Sequence, residues 1–134
     1  MFLTLLILAL SPGIAIALYI YLRDKHEREP IGLLVGSFFY GVLSTLVTLM
    51  LSFPLDMILV LRADDVIDQF ANAFFKVAFI EEFSKFIFLR FILYYNKNFN
   101  EPFDGIVYAI MIGMGFATLD NILYVFQFGV TTGV

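Results

Sequence analysis

Residues 70–95 read FANAFFKVAFIEEFSKFIFLRFILYY. The run is long enough to cross a bilayer as a helix. Yet Glu81, Glu82 and Lys85 stand near its middle. A charge at that depth costs at least ~2.5–3.5 kcal/mol, so intramembrane charges face a cavity or a protein interior and mark function. The rest of the chain is therefore expected to wall in these three residues.

Composition supports that setting. The chain has 134 residues, 61% hydrophobic and 15% charged, with 17 Phe. A soluble domain of this size has no interior able to hide so much apolar surface. Apolar runs cover 2–22, 31–53, 70–95 and 105–129, which predicts an all-α, polytopic membrane helix bundle of about four transmembrane helices in one domain. The alternating short strands of a β-barrel are not seen. With no basic stripe, nucleic acid is not an expected partner. With no cysteine, disulfides and thiolate chemistry are excluded.

The first run lacks a basic start, and its apolar character continues to Tyr21. It reads as a retained span rather than a signal peptide. Pro12 and Gly13 inside it predict a kink. The second run extends to about Leu61, too long for one perpendicular span, so it tilts or ends near Pro54. The loop at 23–30 carries Arg23, Lys25 and Arg28, and the loop at 96–104 carries Lys97, with Arg90 just before it. By the positive-inside rule both loops are cytoplasmic and the N-terminus is outside. His26 is the only histidine and reads as solvated. Asp104 opens the last span and reads as a helix cap. Asp56 reads as interfacial.

The spacing around the charges is informative. Glu82 and Lys85 share a helix face, and Glu81 also reaches Lys85 at i+4. One lysine balances one acid. The second acid then calls for a proton, a metal or a partner on another helix. The last span supplies such a partner in Asp120 and Asn121. Gly113, Ala117, Asp120 and Tyr124 fall on one face. Gly113 and Ala117 form a small-xxx-small pattern that permits close helix packing. At helical rise, Glu81 lies ~16 Å and Asp120 ~14 Å from the outer ends of their spans, so the two polar groups meet at similar depth. Converging carboxylates bind a divalent metal, act as general base towards water, or relay protons. The alternative is helix–helix glue, which for Asn121 alone is the better reading.

Several stretches resemble the PrsW family of intramembrane proteases, related to the group that includes the CAAX prenyl endopeptidases. These are SPG followed by YIYLRDKHEREP, then Glu81-Glu82-x-x-Lys85, then Phe103-Asp104-Gly105-Ile106-Val107-Tyr108. Gly113-x-Gly115-Phe116-Ala117 and Asp120-Asn121-x-x-Tyr124 complete the set. The resemblance implies hydrolysis of peptide bonds in membrane-anchored protein substrates, in the plasma membrane of a bacterium. It assigns catalytic roles to Glu81, Glu82, Asp120 and Asn121, with electrostatic support from Lys85. It also implies a divalent metal such as zinc, with Glu81, Glu82 and Asp120 as ligands. The family has Glu-Asn where this chain has Asp120-Asn121, and it continues into further spans that carry histidines. The chain is thus expected to be an N-terminal portion. The rival functions are a non-catalytic membrane protein whose polar pocket binds a partner helix or lipid, and a proton or cation pathway.

Overall fold

The computed structural model describes residues 2–23, 29–58 and 65–131, with only the backbone described for 2, 56, 58 and 128–131. His26, Lys25, Arg28 and Arg62 lie outside the described residues, as does the side chain of Asp56. The described chain is four helices with no strand among them. Helix α1 is Phe2–Arg23 and α2 is Ile31–Ile58. Helix α3 spans 66–93, and α4 is Pro102–Thr131.

Three of these are long and apolar enough to cross a membrane, by length and composition: Leu3–Arg23, Ile31–Leu55 and Pro102–Gln127. α3 stands apart because Lys76, Glu81, Glu82, Lys85 and Arg90 punctuate it. α1 runs unbroken through Pro12, and the Ser11 hydroxyl donates to the Ile7 carbonyl one turn back. α2 likewise continues through Pro54 instead of ending there. The described part of the second run's extra length, to Ile58, is helix.

α4 is the centre of the bundle, packed against α2 most extensively, then α1, then α3. The sequence pattern shows why α2 fits it. Leu34, Ser37, Gly41, Ser44, Thr45 and Thr48 recur at helical spacing and are all buried. This stripe is mostly small and polar. Its hydroxyls turn inward: Ser37 donates to the Leu33 carbonyl at 2.7 Å and Ser44 to Gly41 at 2.7 Å. Hydroxyls satisfied within their own helix let two backbones approach without stranding a polar group in an apolar medium. Two glycines set the distance. A Cβ on Gly41 would overlap the Ile112 carbonyl, and one on Gly115 would overlap the Phe38 carbonyl.

The apolar core sits at one end of the bundle, where Leu34, Leu93, Val107, Tyr108, Met111 and Ile112 cluster. The entry to α4 is fixed there. Asp104, buried, accepts from the backbone N–H of Asn100 (2.9 Å) and Glu101 (2.7 Å). An acid at the third helical position returning to the cap backbone is one arm of a capping box. The cap expected of Asp104 is thus present. Phe99 stacks on Tyr108 with ring centroids 5.9 Å apart.

Candidate active site

α3 is not a uniform α-helix. Val66–Ala71 is α-helical, Asn72–Ala78 widens to π-helix, Phe79–Phe88 returns to α, and Leu89–Leu93 widens again. The i→i+5 pattern appears in Phe79 N–H to the Phe74 carbonyl and Tyr94 N–H to Leu89. Wide turns of this kind are rare and gather at functional sites. Here they bracket the segment that carries Glu81, Glu82 and Lys85.

That segment has two faces. Ile80 and Ser84 are buried, and the Ser84 hydroxyl donates to the Ile80 carbonyl at 2.8 Å. Phe88 stacks on Tyr40 of α2, centroids 5.8 Å apart. The other face carries the charges. Lys85 Nζ lies 2.7 Å from Glu82 Oε1 and 4.1 Å from the centre of the Phe116 ring on α4. The Lys85 side chain keeps 19% of its surface exposed, while Glu82 keeps 74%. The ammonium is thus pinned between a carboxylate and an aromatic face. Glu82 is held by one end only.

Glu81 is half-buried, and Lys85 and Asp120 are the charges that act on it most strongly, ahead of its neighbour Glu82. Asp120 belongs to α4, so the two helices do bring acids together. The register is antiparallel: Lys85 meets Phe116, and Leu93 meets Tyr108 in the core. Each four-residue step forward on α3 matches a four-residue step back on α4.

Beside the ion pair lies a cleft of about 320 Å³. Glu82, Lys85, Phe86 and Leu89 line it from α3; Ala109, Ile112 and Gly113 line it from α4. A few waters fit in such a volume, or a short stretch of polypeptide.

One expectation changes here. Gly113 was expected to pack a helix against its neighbour, with Ala117 one turn on. A Cβ on Gly113 would meet nothing within 4 Å, because Gly113 opens into the cleft. The close approach on α4 is made by Gly115, a little over half a turn around the helix, and Ala117 is half-buried. Asn121 joins helices, as preferred for it alone: its Nδ2 donates to the Ala9 carbonyl of α1 at 3.3 Å. It ties α4 to the first helix.

Sequence reasoning passed over Glu29. It is buried and accepts a hydrogen bond from the Tyr108 hydroxyl, which is fully buried itself. No local signal marks it, since it lies among five other charged residues at 23–28.

Residues 29–134 match the PrsW family intramembrane metalloprotease. The chain belongs to that family. Its relatives include the Protease PrsW of Geobacillus kaustophilus, 40% identical over 126 residues, which cover 92% of this chain and 53% of the relative. The Protease PrsW of Bacillus subtilis is 39% identical over 123 residues, 90% of this chain and 53% of the relative. That of Oceanobacillus iheyensis is 35% identical over 128 residues, 96% and 57% respectively. The chain spans about half the length of these curated relatives. No solved structure matches it. The membrane-length helices and the bacterial relatives together make it an integral membrane protein of bacterial type.

The description of the PrsW family as metalloproteases raises the question of a metal. Among the described residues no group of three or more His, Cys, Asp or Glu stands close enough to hold one. The set expected of Glu81, Glu82 and Asp120 is therefore not assembled. The reason is helical geometry. Successive residues point ~100° apart, so while Glu81 turns towards Asp120, Glu82 turns into the cleft and is held by Lys85. Carboxylates alone also suit hard cations better than zinc, which commonly takes nitrogen or sulfur ligands. As arranged, these residues do not form a metal site.

Proposed function

We propose that this chain supplies part of an intramembrane endopeptidase that hydrolyses peptide bonds of membrane-anchored proteins. The observation that carries the reading is the Glu82–Lys85 pair set against Phe116 of α4, with Glu81 next to it on α3 and within electrostatic reach of Asp120. Membership of the PrsW family supports it. α3 crosses the bilayer with the other three helices and sets Lys85 against Phe116 of α4. The N-terminus lies outside the plasma membrane, and residues 23–30 and 96–104 lie in the cytoplasm.

Two carboxylates from different helices suit general acid–base chemistry. Glu81 takes a proton from water as its oxygen attacks the substrate carbonyl carbon. Lys85 provides positive charge for the oxygen that becomes negative. The proton then passes to the amine nitrogen as the C–N bond breaks. Asp120 holds the water or relays that proton. Glu82 positions Lys85. Asn121, through Ala9, fixes the turn of α4 that carries Asp120.

The test uses the whole gene product in membranes with a tagged, membrane-anchored substrate. Glu81→Gln and Asp120→Asn should each lower cleavage about 10²-fold or more while the protein still inserts. Full cleavage by both variants would refute the enzyme reading. The cleft beside the Glu82–Lys85 pair also fits a second reading, a non-catalytic pocket that binds a partner helix or lipid. That reading expects substrate capture without cleavage in the unmodified protein.

A further inference from the structure

The cleft between α3 and α4 has a feature that helix packing does not account for. Three glycines of α2 and α4 can be compared. Gly41 and Gly115 have no room for a side chain, because each lies against the backbone of the opposite helix. Gly113 has room, since nothing lies within 4 Å of where its Cβ would be. Among the described residues, nothing occupies that space. Ala109, one turn earlier on the same face, is exposed and lines the same cleft. The α4 wall is thus Ala109 and Gly113, one turn apart, with Ile112 between them. Above it stand Phe86 and Leu89, with Glu82 and Lys85 at the end nearer Glu81.

We infer that this cleft is the docking trough for an unwound segment of a membrane-anchored polypeptide, with Gly113 as the residue that keeps its floor open. The inference rests on the protease reading and extends it to the substrate's backbone. The chemistry is one of complementarity. A helix entering an active site must unwind, and each backbone N–H or C=O then left unpaired in an apolar medium costs several kcal/mol. The Glu82 carboxylate and Lys85 ammonium, 2.7 Å apart, offer an acceptor and a donor side by side. That pairing matches the alternation of N–H and C=O along an extended strand. A lipid acyl chain has no use for either group. The missing side chain at Gly113 lets the strand lie close to α4, and Phe86 and Leu89 face its side chains. Gly113 is a positioning residue.

The test compares three variants of the whole gene product. Gly113→Leu should fill the trough and raise KM for a membrane-anchored substrate about tenfold or more, with kcat changed far less. Gly36→Leu is the control: a Cβ there also meets nothing within 4 Å, but Gly36 does not line the cleft, and cleavage should be unchanged. A photo-crosslinking side chain at Ala109 supplies a readout independent of turnover. In a Glu81→Gln background it should capture the substrate polypeptide, and Gly113→Leu should abolish capture. Unchanged KM in Gly113→Leu, or crosslinks to lipid alone, would overturn the trough. Capture that persists although Glu81→Gln still cleaves would leave the trough standing and remove the catalytic role of Glu81. If Gly113→Leu fails to insert, the Ala109 crosslink decides the matter by itself.

Discussion

Gly41 and Gly115 show what a single missing side chain does in this bundle. Each is buried against a carbonyl of the facing helix, Ile112 for one and Phe38 for the other. Between apolar helices in lipid, association relies on van der Waals contact more than on hydrophobic burial. Close approach is therefore the source of stability, and it is lost when a methyl group separates the backbones. Gly115→Leu should destabilise the bundle by about 1–3 kcal/mol or more, the range for overpacking. A thermal melt in detergent checks this, and an unchanged midpoint would contradict the contact. Gly113→Leu, two positions earlier, should leave the same melt nearly unmoved. The motif Gly113-x-Gly115 looks like one packing unit in the sequence. Helical geometry separates its members, since two residues on is about 200° round the axis.

Among the elements, α3 and α4 carry the site, and each is shaped by a local device. In α3 the π-helical segments at Asn72–Ala78 and Leu89–Leu93 re-aim the turns on either side of Glu81, Glu82 and Lys85. Nothing in the residue pattern signalled them, because widening a turn by one residue leaves composition and hydropathy unchanged. The charges themselves were legible as a buried-charge anomaly, and so was the Glu82–Lys85 pairing at i+3. In α4 the device is the Asp104 cap, readable from an acid just inside a helix start after Pro102. Asp104→Ala removes the acceptor of two backbone N–H groups and should cost about 1–2 kcal/mol. It should also fray the start of α4, raising amide hydrogen exchange at Asn100 and Glu101. Protection unchanged at both positions would argue against the cap.

For the whole molecule, the proposed orientation rests on the distribution of Lys and Arg. The chain has no cysteine, so each introduced cysteine is unique and reports its own side of the membrane. Arg23→Cys and Asn100→Cys should react with an impermeant thiol reagent from the cytoplasmic side only. Val66→Cys, at the start of α3, should react from outside. The reverse pattern would invert the topology without altering the site.

Taken by itself, the order of residues determined four helical runs, the placing of two acids and a lysine in an apolar helix, and the likeness to the PrsW family. These are one-dimensional properties: run length, period and motif order. The tertiary structure alone decided which groups meet. Lys85 meets the Phe116 ring of α4, Gly115 makes the contact that its spacing suggested for Gly113, Asn121 binds α1, and Glu29 folds onto Tyr108. The physical reason is rotational. A helix's face is set by the sum of every turn before it, so a wide turn or one tight glycine contact shifts partners that no short window of sequence contains.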